Sequence, residues 1–232
     1  TKTDKGPREQ NQDFCLIENF NDSLYLIVAD GVGGNKGGQT ASRTACETFI
    51  AAIKHGSTPK EAIASTHELI LDLASKNSDL TGMATTFSSV VIYKDRAYGV
   101  HSGDSRIYLL RKNGLQQITQ DHSEVARLLL SGKLSKSEAS TYPRRNVLYS
   151  AVGTTAKFVF QEFDFQVTNG DRVLVMTDGV YSVINKKEFR DLSLSHIDFR
   201  EYCEAIIQKI IEGQTKDNYT LVGAEISNVD SK

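Results

Sequence analysis

Short runs rich in β-branched and aromatic residues recur at 24–29, 84–93, 97–102, 106–111, 158–167, 172–177 and 219–226, and they constrain the fold more than any other feature of the chain. Runs of this length and type form strands. Lys94-Asp95-Arg96 and Lys112-Asn113-Gly114 read as hairpin connections, which predicts antiparallel pairing rather than a regular strand-helix alternation. Around the strands lie amphipathic helices. Ala41, Thr44, Ala45, Thr48, Phe49, Ala52 and Ile53 follow the rhythm of one buried helical face, in a helix beginning near Gln39. Thr58, Pro59 and Glu61 spell the capped start of a second. Phe199, Tyr202, Cys203, Ile206, Ile207, Ile210 and Ile211 mark a third that stops near Gly213. Strands covered by such helices predict the α+β class.

The charge balance excludes several functions. With 27 Lys and Arg against 29 Asp and Glu, and no long run of either sign, no nucleic-acid surface is indicated. The apolar runs are far shorter than the roughly 20 residues that cross a bilayer, so no membrane span is expected. Three cysteines at unrelated spacings argue against a disulfide framework, and the first residues lack the zones of a secretory leader, so we expect a cytoplasmic protein. A cysteine-based phosphatase needs Arg six positions after its nucleophile. Asn21, Ala52 and Lys209 stand there after Cys15, Cys46 and Cys203. No internal repeat or linker divides the chain, which predicts one domain over 1–232. Residues 131–153, with a capping box at Ser135 and Glu138 but otherwise no periodicity, are expected to form a mobile surface excursion.

Three of the strand-like runs end on an acid beside a glycine: Asp30-Gly31, Gly103-Asp104 and Asp178-Gly179. A fourth acid, Asp217, precedes Asn218 and the last run. Asp-Gly is a common turn dipeptide, so each alone indicates only a turn. Together they would set several carboxylates side by side at one rim of the sheets, a crowding that hard divalent ions such as Mg²⁺ or Mn²⁺ relieve. No Cys or His spacing of the zinc type competes. The glycine-rich run 31–38 lets the backbone pass close to a metal or a phosphate. It is not a Walker A loop, because Lys36 precedes glycine rather than Ser or Thr.

In chain order, Arg8-Glu9-Gln10-Asn11-Gln12-Asp13, Val28-Ala29-Asp30-Gly31-Val32-Gly33-Gly34, Gly82-Met83-Ala84-Thr85-Thr86, Gly103-Asp104-Ser105-Arg106, Asp121-His122-Ser123, Thr177-Asp178-Gly179 and Asp217-Asn218 resemble the type 2C metal-dependent protein phosphatases, over essentially the whole chain. The resemblance implies a central antiparallel β-sandwich flanked on both sides by helices, four layers in all, with a metal cluster at one end. It implies that Asp30 bridges two ions, Gly31 gives its carbonyl to the first, and Asp178 and Asp217 complete the second. It implies a third, weaker ion at Asp104 with Asp178, a phosphate clamp at Arg8, and in Asp13 an acid that orients the metal-activated water. The excursion at 131–153 corresponds to the flap of bacterial members.

Two departures bear on the chemistry. Gln12 and Val32 stand where well-known eukaryotic members carry Glu and His, which leaves the proton donor for the leaving oxygen open between His101, His122 and a metal-bound water, the last being preferred. The expected function is hydrolysis of phosphoserine and phosphothreonine in proteins with Mn²⁺ or Mg²⁺, by a monomer opposing a bacterial Ser/Thr protein kinase. The alternatives are a phosphoprotein-binding regulator and a small-molecule phosphohydrolase on the same fold.

Overall fold

The structure, a computed structural model, describes residues 1–32 and 34–227, the side chains of 34–36 excepted. Two antiparallel sheets form its centre. In the first, β2 (Asp13–Phe20), β3 (Ser23–Val32), β5 (Phe87–Tyr93), β6 (Arg96–Ser102) and β9 (Gln161–Gln166) are neighbours in that order, and β4 (Ala84–Thr85) pairs with the end of β3. In the second the order is β1 (Lys2–Asp4), β11 (Tyr219–Glu225), β10 (Arg172–Met176), β7 (Arg106–Arg111) and β8 (Gly114–Gln117). Both expected hairpins are present, closed by Tyr93 opposite Arg96 and by Arg111 opposite Gly114.

Alternation along the strands separates three cores. Leu26 and Val28 of β3 face Val173 and Val175 of β10 between the sheets. Tyr25, Ile27 and Ala29 point the other way, onto Ala45, Phe49 and Ile63 of α1 (Gly34–Lys54) and α2 (Pro59–Lys76). Leu174 and Met176 point outward from the second sheet, onto a cluster with Val180 of α5 (Asp178–Tyr181), Phe189 of α6 (Lys186–Ser195) and Ile206 of α7 (Phe199–Glu212). The molecule is therefore a four-layer sandwich. Strands covered on both faces need apolar residues at every position, which is why β3 and β10 read as unbroken runs. Each fully buried Leu, Ile or Phe in these layers contributes roughly 1.5–3 kcal/mol.

Helix α2 carries the expected capping box of Thr58 and Glu61, and α7 ends at Glu212 with Gly213 as its C-cap. Helix α1 differs from expectation by starting at Gly34 instead of near Gln39. Glycine is a poor helix former, but a Cβ on Gly31 would lie 2.1 Å from the carbonyl oxygen of Gly38 and one on Gly38 would lie 3.0 Å from the Gly31 carbonyl carbon and from the Gln12 side chain. The glycines let the first turns of α1 press against the end of β3, so at Gly31 and Gly38 the close approach is of backbone to backbone. Gly33, in the same run, lies outside the described residues.

The stretch 131–153 divides in two. Residues 131–147 are largely exposed and contain α4 (Lys136–Thr141), which follows α3 (Glu124–Leu130) and has the expected capping box of Ser135 and Glu138. Ser150 to Gly153 are buried, with Val152 bridged to Thr85 and the Gly153 N–H donated to His67 Nδ1 at 3.0 Å.

Candidate active site

The acids named from sequence converge where the two sheets meet. Asp13 and Asp30 stand opposite each other in the register of β2 and β3, in the first sheet. Asp178 follows β10, and Asp217 precedes β11, in the second. Asp104 lies in the β6–β7 connection. A cleft of about 430 Å³ is lined by Arg8, Asp30, Gly31, Asp104, Asp178 and Asp217, while Asp13 is buried beneath it. Asn146 and Leu148, from the stretch expected as a flap, stand at the same cleft.

Glycines allow the convergence. A Cβ on Gly179 would fall 1.9 Å from the carbonyl oxygen of Asn218, so the residues directly after Asp178 and Asp217 are in backbone contact. Asn218 then ties in the N-terminal segment. Its Oδ1 accepts the Gln12 N–H at 2.8 Å, and its Nδ2 donates to the carbonyls of Lys5 and Gln10, each at 2.8 Å. The Asp30 peptide is fixed from both sides: its N–H donates to Thr86 Oγ1 at 2.9 Å, and its carbonyl accepts from the Thr86 N–H and the Thr85 hydroxyl.

Asp13 links the sheets. Its Oδ2 accepts the hydroxyls of Thr177 and Thr220 from the second sheet, each at 2.8 Å, whereas its Oδ1 is buried without a partner. A buried carboxylate oxygen with no donor is costly. Sequence reasoning quoted Thr177 beside Asp178 without giving it a role, and missed Thr220. The available signals were that Thr177 adjoins Asp178 and that Thr220 shares its strand face with Asn218, two positions away.

Burial is the first cause of a raised pKa at four of the acids. Asp30 is pushed well above its ordinary value, with repulsion from Asp13, Asp178, Asp104 and Asp217 added. Asp104 rises to about 8 through burial and then Asp178 and Asp121. Asp13 rises to about 7 against the opposing pull of its two threonine hydroxyls. Asp178 rises to about 6 through burial and then Asp217. Arg8 is the cation in the cleft, and its Nη2 lies 2.7 Å from Asp217 Oδ2.

This donor set fits a hard divalent cation: carboxylate and carbonyl oxygens, too little positive charge, and an orphaned buried oxygen behind them. Among the described residues no group of three or more His, Cys, Asp or Glu is arranged to hold an ion by itself. An ion here would complete its shell with the Gly31 carbonyl and water, as Mg²⁺ and Mn²⁺ ordinarily do.

The raised pKa values have a consequence for stability. A carboxyl whose folded pKa exceeds its ordinary 3.8 binds more protons folded than unfolded, so stability falls as pH rises through that interval. His67, His101 and His122 have lowered pKa values and act oppositely, but their gain is nearly complete once an unfolded imidazole has titrated near 6.5. The melting temperature of metal-free protein is therefore expected to fall between about pH 7 and pH 8.5, and excess Mn²⁺ should remove the fall. A metal-free melting temperature that climbs across this window would rule out the crowding as its cause.

Neither histidine considered as a proton donor reaches the cleft. His101 is fully buried, its Nδ1 2.8 Å from Ser88 Oγ and its Nε2 3.2 Å from the Gln120 carbonyl, and burial lowers its pKa to about 3. His122 accepts the Gly103 N–H at 3.3 Å. His122 thus holds the β6–β7 connection that carries Asp104, whereas His101 ties β5 to the segment at Gln120. Val32 lines the cleft and has no proton to give.

Comparison with known proteins points to one family. A family model described as protein phosphatase 2C matches residues 7–214. The serine/threonine phosphatase stp of Listeria welshimeri is 31% identical, over 97% of this chain and 94% of its own length. Protein phosphatase PhpP of Streptococcus pneumoniae is 28% identical, over 99% and 98%. Among solved structures, the serine/threonine phosphatase Stp1 of Staphylococcus aureus superposes with a TM-score of 0.91 at 26% identity, covering 98% of this chain and 94% of that one. The catalytic domain of the serine/threonine protein phosphatase PstP, solved with 2 manganese ions, gives 0.82 at 27% identity, covering 97% and 95%.

Proposed function

The chain belongs to the protein phosphatase 2C family, and from that premise we propose that it is a metal-dependent protein phosphatase acting on phosphoserine and phosphothreonine. The observation that carries this reading is the gathering of Asp30, Asp104, Asp178 and Asp217 with Arg8 in one cleft. Asp30 would lie between two ions, Gly31 would give its carbonyl to the first, and Asp178 and Asp217 would hold the second. Asp104 with Asp178 would hold a third, weaker one. Mn²⁺ or Mg²⁺ bound there supplies Lewis acidity, drawing a water toward hydroxide and offsetting charge on the phosphoryl oxygens.

The remaining work falls to side chains. A guanidinium has five N–H donors, and the bond to Asp217 occupies one of those on Arg8, which leaves a fork for two phosphoryl oxygens. Asp13 has its Oδ2 committed to two hydroxyls, so only Oδ1 remains to receive a proton or orient a water. With His101 and His122 occupied elsewhere, the departing seryl or threonyl oxygen takes its proton from water. The exposed part of 131–153 acts as a flap, and Asn146 and Leu148 bring it to the substrate. Among the described residues no helix is long and apolar enough to cross a membrane. We place the enzyme in the cytoplasm, as a single-domain monomer opposing a Ser/Thr protein kinase.

The test is a substrate panel run with and without chelator. Phosphopeptide turnover should exceed that of nucleotide and sugar phosphates, vanish when the protein is stripped of metal, and return with Mn²⁺ or Mg²⁺. Undiminished turnover in stripped protein would falsify the scheme. Equal or better use of small phosphates favours a small-molecule phosphohydrolase, and phosphopeptide binding without turnover favours a regulator.

A further inference from the structure

Asp104 hangs from a connection whose preceding residue, Gly103, has φ +107°, so its carboxylate depends on how that turn is held. Two ties hold it. On one side the Ser105 hydroxyl lies 2.7 Å from Thr86 Oγ1, the atom that also accepts the Asp30 N–H. On the other, the Tyr181 hydroxyl donates to the Asp104 carbonyl at 3.0 Å. Tyr181 ends the short helix that Asp178 begins, and residues three apart share a helical face. The same turn therefore carries one carboxylate of the cleft and grips the backbone of another.

The ring of Tyr181 is itself held. The Arg106 guanidinium lies over it, 3.7 Å from the ring centre. That guanidinium is fixed edge-on by Asp121 through Nε at 3.0 and 3.2 Å and Nη2 at 2.6 Å. A cation stacked on a ring and pinned by a bidentate carboxylate leaves the phenol little freedom.

We infer that Tyr181 is a positioning residue for Asp104: its hydroxyl sets the Asp104 peptide relative to Asp178, and so governs the weak cation site that these two carboxylates share. The inference rests on the assignment of Asp104 made above, and the experiment separates the two. Metal-free parent, Tyr181→Phe and Asp104→Ala are titrated with Mn²⁺ by calorimetry, melted, and assayed for kcat and KM on one phosphopeptide. Tyr181→Phe should keep the tight ions and the KM, bind the weak ion roughly 3- to 10-fold less tightly, the fold-change of one net hydrogen bond, and lose kcat in proportion. Arg106→Lys, which keeps the charge but loses the planar fork, should move the weak site in the same direction. If Asp104→Ala loses the weak ion while Tyr181→Phe titrates like the parent, whatever its melting temperature, the inference is overturned and the Asp104 assignment stands. If Asp104→Ala keeps every ion, the assignment fails and the inference with it.

Discussion

Asp30→Asn is expected to lower kcat for a phosphopeptide by at least about 10²- to 10³-fold, the scale of losing one preorganised electrostatic contact to a transition state. Asparagine has the shape of aspartate, and the bonds that place this residue are made by its main chain to Thr85 and Thr86, so the fold should persist. The lost quantity is charge. In the metal-free protein that charge is unfavourable, because burial and then four neighbouring carboxylates push the Asp30 pKa well up. The variant should accordingly melt no lower than the parent without metal, and gain less from added Mn²⁺. Loss of turnover together with undiminished apoprotein stability is the signature of a ligand; full activity would end the bridging assignment.

Gly179→Ala should be a severely damaging single-methyl change at the site. The new Cβ would sit 1.9 Å from the Asn218 carbonyl oxygen and 3.1 Å from the Tyr219 Cβ, and the nearer neighbour is backbone that cannot swing aside. Overpacking of this kind costs about 1–3 kcal/mol, occasionally more. Relief comes only if the turn bearing Asp178 separates from the segment bearing Asp217. A lower melting temperature is thus expected along with weakened Mn²⁺ binding by calorimetry and loss of most turnover. Val180→Ala, a cavity in the same turn, is the control: similar destabilisation with metal binding retained shows that the contact, not general loosening, aligns the carboxylates.

Much of this architecture was legible because burial on both faces leaves a continuous apolar signature. Strands β3, β5 and β10 lie where the runs predicted them. Strand β2 escaped, since Asp13, Glu18 and Asn19 interrupt its apolar pattern on the sheet's edge, and β8, reading Gly-Leu-Gln-Gln, has almost no apolar content. The start of α1 was hidden for another reason: Gly37 and Gly38 are chosen for what packs against them, which local propensity does not register. Helix α6 was legible in principle from the capping box of Asn185 and Glu188. At the site, the aspartates stood out because strand ends beside glycine are conspicuous. Thr177, Thr220, Tyr181 and Asn218 matter through partners dozens to hundreds of positions away, and no local pattern encodes those pairings.

The sheet pairing also sets a condition on the site. Strand β1, the first among the described residues, pairs with β11, the last among them. Asp217 and Asn218 arrive with that last strand, and Thr220 within it. Until β11 is paired, Asp13 lacks the Thr220 hydroxyl and the cleft lacks Asp217. The cluster is therefore complete only when both sheets have formed and docked, so metal binding by this cleft reports finished folding.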